Sequence, residues 1–155
     1  MIYRSLLRSQ IPAKKEPTGL CQSDGKRLDG VSLIPWNRGR CVAWDVTVVY
    51  TLAPSHVSDS ATHAGSAAAK AETIKMSEYV DIAVTHTFIL LAFETLGAWG
   101  EQCDEFVQDL GCRLTSVAGE RKDTEYLKQR LSITVQRGNA IVCLGTLPSQ
   151  PLDPE

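Results

Sequence analysis

The sequence contains no apolar run long enough to cross a bilayer. Its longer runs, such as FILLAF (Phe88 to Phe93), fall far short of the ~20 residues that a membrane helix needs. The N-terminal stretch MIYRSLLRSQIP lacks the apolar core and the small-residue cleavage site of a secretory signal. No CxxC pair occurs. The five cysteines, Cys21, Cys41, Cys103, Cys112 and Cys143, form an odd, scattered set. In a chain without a secretory signal that set predicts free thiols and an intracellular protein, not a disulfide framework. His56 and His63 are seven apart with no cysteine nearby, which argues against a zinc site. No internal repeat is visible.

What is present suits one domain with a core of its own. The chain has 155 residues, 43% hydrophobic and 22% charged, both ordinary for a globular protein. Charge is unevenly spread. Residues 1–40 hold eight Lys/Arg against three Asp/Glu, a net of +5, and residues 41–155 hold eight against fifteen, a net of −7. The basic arm reads either as a contact for a phosphate backbone or as a solvated end. With an overall charge of −2, the chain is less basic than proteins that bind nucleic acid tightly on their own.

Ile2, Leu6 and Leu7 predict a helix over residues 2–10, which Pro12 ends. EPTGLC reads as a short extended piece, and Asp24-Gly25 as a turn. LDGVSLIPW and CVAWDVTVVY, joined by NRGR, predict an antiparallel hairpin over residues 28–50. Ala61, Ala64, Ala68, Ala71 and Lys75 fall on one face of a helix expected over residues 57–80. Residues 86–97 read as a central strand, apolar on both sides. Cys103, Phe106, Val107, Leu110, Leu114 and Val117 mark an amphipathic helix closed by Gly119. A last helix starts at Asp123 or Thr124 and runs to about Leu144. Residues 147–155 read as a disordered, proline-rich tail after a single domain over residues 1–146. The order α-β-β-β-α-β-α-α predicts an α/β fold, one sheet with helices on both faces.

The hairpin holds two aspartates in apolar surroundings. Asp45 and Thr47 share one face of their strand, and Trp44, Val46 and Val48 share the other. With the turn near residues 37–39, residue i pairs with about 75 − i, so Asp29 faces residue 46. A bulge or a one-residue slip puts Asp29 and Asp45 on one face. Two carboxylates held side by side repel unless a cation lies between them. Mg²⁺ suits such a pair, with retained waters and a substrate phosphate completing its shell. No lysine lies on these strands. On the next helix, Lys75 falls on the close-packed face and points toward the sheet. It reads either as part of the site or as a snorkelling lysine at the edge of that face.

These residues carry a resemblance. KRLDG…WDVT, then KMSEY, then a strand ending ETLGAWG, is similar to the restriction-like endonuclease domain of site-specific non-LTR retrotransposon proteins, members of the PD-(D/E)XK nuclease superfamily. More closely, nearly the whole chain resembles a region at the C-terminal end of reverse-transcriptase-containing proteins from mobile elements in animal and oomycete genomes. The blocks QIPAKKEPTGL, DGKRLDGVSLIPW, VAWDVTVVYTLA, AGSAAAKAE, FETLGAWG and RLSITVQRGNA carry it, over about residues 9–140. The resemblance implies an α-β-β-β-α-β restriction-endonuclease-like core with a mixed central sheet flanked by helices, plus C-terminal helices. It also implies Mg²⁺ or Mn²⁺ at Asp29 and Asp45, DNA as partner and a nuclear location. By position, Asp29 matches the aspartate of the "PD" element and Asp45 the acid of "(D/E)XK". Lys75 and Tyr79 match a lysine and tyrosine of a later helix. The catalytic set implied is Asp29, Asp45 and Lys75.

Three positions depart from the family. Leu28 replaces its proline, Thr47 the lysine of "(D/E)XK", and Glu78 the second lysine of the later helix, reversing a charge and adding a carboxylate to consider. The chain is also expected to begin inside the family's first helix. Two functions follow as expectations: a metal-dependent DNA endonuclease, or an inactive relic of that fold that binds nucleic acid or a protein partner. An interaction module using the C-terminal helices is a third. Trp36, Trp44 and Trp99 read as packing residues. Glu94 reads as a capped strand-end carboxylate or as an acid supporting the site. Arg130 and Arg137 read as a solvated face.

Overall fold

The computed structural model describes residues 1–20, 27–120 and 122–146. The expected Asp24-Gly25 turn, Cys21 and the tail 147–155 lie outside the described residues. The chain is mixed α/β. Its elements are α1 (Ile2–Arg8), β1 (Ala13–Lys15), β2 (Gly30–Ser32), β3 (Val42–Val49), α2 (Val57–Ser60), α3 (Ser66–Glu78), α4 (Val80–Thr85), β4 (Thr87–Glu94), α5 (Glu101–Ala118) and α6 (Asp123–Thr146). Among the described residues four strands form one sheet in the order β1-β2-β3-β4. The first two pairings are antiparallel and β3 pairs with β4 in parallel. A parallel pair needs a crossover connection, which α2, α3 and α4 supply.

The hairpin forms, but β2 is far shorter than the stretch from Leu28 to Pro35. Ser32 ends it: its hydroxyl accepts the Val42 N–H at 2.9 Å and donates to the Ile34 carbonyl at 2.8 Å. The chain then reverses at Arg38 and Gly39, which have φ of 48° and 75°. Positive φ at both central residues matches the right-handed twist of paired strands.

Residues 57–80 do not form one helix. Gly65, with φ of 86°, precedes α3, and Ala61 and Ala64 lie before it. The packed face therefore starts at Ala67 and Ala68, which are buried, and runs on through Ala71. Beta-4 is not central. Among the described residues it pairs with β3 alone and ends the strand order. Its outer edge is closed locally, where Glu94 N–H bonds Ala98 O at 2.7 Å and Gly100 N–H bonds Ala92 O at 2.9 Å. Its apolarity on both sides reflects helices above and below it, not strands on either hand.

The core lies on both faces of the sheet. On one, Val42, Trp44, Leu91 and Phe93 meet Leu6 of α1, Phe106, Val107 and Leu110 of α5, and Leu127 and Leu131 of α6. On the other, Ala43, Phe88, Leu90 and Ala92 meet Ala68, Tyr79 and Ile82. Gly30 sits under the Trp44 ring, where an added Cβ would lie 2.1 Å from the nearest ring carbon. The three tryptophans pack as expected. Trp36 lies 5.0 Å from Phe106 and Trp99 lies 5.1 Å from Phe93, centroid to centroid. Among the described residues no helix is long and apolar enough to cross a membrane.

Candidate functional site

The hairpin register is one residue off the expected one. Gly30 pairs with Trp44 and Val31 with Ala43, so the residues sum to 74 and Asp29 comes just before the paired stretch, beside Trp44 and Asp45. The ladder is irregular there. Asp29 N–H bonds the Trp44 carbonyl at 3.1 Å. Val46 N–H donates to Asp29 Oδ2 at 2.7 Å, in place of a backbone acceptor. That bond holds the Asp29 carboxylate against β3, within interaction distance of Asp45.

Asp45 points to the α3 side of β3. There Lys75 Nζ lies 3.4 Å from its Oδ2. The Lys75 side chain is 24% exposed and that of Asp45 14%, so the pair is shielded but not sealed. Burial pushes the Asp45 carboxyl above the ordinary carboxylate range. Lys75 draws it back and Asp29 pushes it further up. Desolvation and a like charge together outweigh the cation. Lys75 is shared: its Nζ also lies 3.5 Å from Glu78 Oε2 and 5.3 Å from the Tyr79 ring centroid. Tyr79 is buried and stacks on Phe88 at 4.7 Å, which fixes the platform under the ammonium.

Asp29, from the residue before β2, Asp45 from β3 and Lys75 from α3 thus come together around Asp45. Thr47 lies on the Asp45 face of β3, and the cation at Asp45 comes from α3. Glu78 is paired with Lys75. Among the described residues no group of three or more His, Cys, Asp or Glu is placed to share a metal ion. The donor set is therefore the two aspartates. A divalent ion fits it chemically, because ionising both raises a mutual repulsion that Lys75, divided between Asp45 and Glu78, offsets only in part.

Glu94 and Glu72, both buried, act elsewhere. Glu94, 1% exposed, accepts the N–H groups of Ala67 at 3.0 Å and Ala68 at 3.1 Å through Oε1. Its carboxylate caps the N-terminus of α3, where the helix dipole favours negative charge. Of the two readings left open for Glu94, this is the structural one. Glu72 was not singled out from the sequence, although its i+4 spacing from Ala68 places it on the packed face. It lies buried at the start of α5, and a Cβ on Gly100 would lie 1.9 Å from its Oε1. Burial raises its pKa against the opposing pull of the Cys103 and Gln102 N–H groups. Arg130 and Arg137 are exposed.

No protein-family model matches the chain, and no curated protein matches it significantly.

Proposed function

We propose that this chain is a metal-dependent DNA endonuclease-like domain derived from a retrotransposon, acting on phosphodiester bonds in the nucleus. The observation that carries the reading is the meeting of Asp29, Asp45 and Lys75, with Lys75 Nζ 3.4 Å from Asp45. The α-β-β-β-α-β succession of the first elements, with the crossover helices counted together, supports a restriction-endonuclease-like core. Asp29 and Asp45 would hold Mg²⁺ or Mn²⁺, which when bound activates water and stabilises charge on a phosphodiester. Val46 N–H orients the Asp29 carboxylate. Lys75 holds the Asp45 carboxylate and places positive charge beside the position a scissile phosphate would take. The basic residues of the first 40 positions supply weak, salt-sensitive contact to the DNA backbone.

A second reading, an inactive relic of the same fold, is favoured by one feature. Glu78 competes with Asp45 for Lys75, and Thr47 brings no cation of its own. The two readings separate on calorimetric titration of Mg²⁺ or Mn²⁺ into the protein, with the Asp29→Asn/Asp45→Asn variant as control and nicking of supercoiled plasmid DNA alongside. The endonuclease reading expects heat that disappears in the control and nicking lost with Asp45→Asn. Absence of both effects leaves the relic.

A further inference from the structure

Glu72 lies away from Asp45, but on the helix that brings Lys75 to it. The helices α3 and α5 start in the same way. Their N-cap residues are glycines, Gly65 and Gly100, with no side chain to bond the first N–H groups. In each, a buried glutamate from another element takes that place. Glu94 of β4 holds Ala67 and Ala68 at the start of α3. Glu72 of α3 faces the N–H groups of Cys103 and Gln102 at the start of α5. Gly100 N–H bonds Ala92 O along the outer edge of β4. Glu72 therefore reaches round that edge, from the helix on one face of the sheet to the helix on the other. Its carboxyl fills the space of the absent side chain at Gly100, with Oε1 1.9 Å from where a Cβ would stand.

Capping alone accounts poorly for Glu72. The side chain is buried, and its Oε1 has no hydrogen-bond partner among the described residues. A buried oxygen left unpaired costs free energy. What the contact does supply is a fixed rotation for α3. The packed face of that helix includes Ala67, Ala68 and Ala71, which raise only low ridges for neighbours to lock. Glu94 grips backbone N–H groups close to the helix axis at one end. Tyr79, the C-cap residue, stacks on Phe88 at the other. Between those ends, a turn of about 20° would carry an ammonium at roughly 6 Å radius by about 2 Å. That is enough to undo the 3.4 Å pair of Lys75 with Asp45. Glu72 stands three residues before Lys75, on the adjoining part of the helix surface, and anchors it to α5.

We propose that Glu72 is a positioning residue: held at the start of α5, it fixes the rotation of α3 that sets Lys75 against Asp45. Its bearing on catalysis rests on the nuclease reading, whereas the anchoring itself does not.

The coupling between Lys75 and Asp45 reads that alignment without requiring activity. It is obtained from urea unfolding of the full chain, Asp45→Asn, Lys75→Met and the double variant. Glu72→Ala is expected to lower the coupling by roughly half or more. So is Gly100→Ala, whose Cβ displaces the carboxyl while leaving α3 unaltered. Glu72→Gln keeps an acceptor for α5 and retains most of the coupling. Val107→Ala, a core truncation on α5, lowers overall stability and leaves the coupling intact. If Glu72→Ala fails to fold, Gly100→Ala carries the test. Coupling that survives both Glu72→Ala and Gly100→Ala overturns the proposal. So does a loss as large in Val107→Ala or Glu72→Gln, or a parent without measurable coupling. Plasmid nicking alongside separates this inference from the nuclease reading. An active parent is expected to lose nicking tenfold or more in Glu72→Ala and to regain it in Glu72→Gln. A parent that does not nick counts against the nuclease alone, since coupling lost in Glu72→Ala still supports the positioning role.

Discussion

Lys75 Nζ lies 3.4 Å from Asp45 Oδ2, so a helix supplies the cation that β3 itself lacks. The contact joins α3 to the sheet at the point where Asp29 also arrives. The titration of Asp45 reports on both neighbours.

Lys75→Met is expected to raise the pKa of Asp45 further, since it removes the pull that opposes burial. Asp29→Asn is expected to lower it, by removing a like charge. Carboxyl ¹³C chemical shifts followed against pH measure both. Opposite signs, or no movement, would show that the three side chains do not share one site in solution.

Asp45→Asn is expected to be at least as stable as the parent near neutral pH. The folded-state pKa of Asp45 lies above its ordinary value of 3.8, so its ionisation weakens the fold as pH rises through that range. Below 3.8 both states hold the proton and the advantage of the variant disappears. Urea unfolding at the two ends of the range decides it, and a variant clearly less stable at neutral pH contradicts the sign.

Replacing Glu94 tests its role as a cap. Glu94→Leu leaves the buried N–H groups of Ala67 and Ala68 without an acceptor and is expected to cost about 2–3 kcal/mol. Glu94→Gln keeps an acceptor but loses the charge, and is expected to cost about 1 kcal/mol. Equal stability of all three proteins in chemical denaturation would remove the capping role.

Gly30→Ala is expected to cost about 3 kcal/mol, because its Cβ cannot share space with the Trp44 ring. Trp44→Leu clears that space at its own cost. A double-mutant cycle should therefore show the pair less unstable than the sum of the singles, with coupling of about 1 kcal/mol or more. Simple additivity would mean that the ring does not lie over Gly30.

Much of the local structure is legible in the residues. The run from Val42 to Val49 is a strand because its branched and aromatic residues suit a pleated, half-buried surface. Cys103, Phe106, Val107, Leu110 and Leu114 lie on the buried face of α5, and Gly119, at φ of 75°, ends it. The interruption at Gly65 is less legible, since a glycine inside an alanine-rich run reads as tolerated until its backbone takes a positive φ. The place of β4 is not legible at all. A strand covered by helices on both faces looks the same in sequence at the edge of a sheet as at its centre.

The sequence by itself determined where β3, β4, α5 and α6 lie and which charged side chains stand in apolar company. Those follow from spacings of two, three and four residues, which a chain sets locally. Only the tertiary structure decided that Asp29 comes beside Asp45, that Lys75 reaches Asp45, and that Glu94 turns to the start of α3. Each of these is a meeting of distant segments. It depends on hairpin register, which a single residue of slip reverses, and on where the crossover sets α3 down upon the sheet.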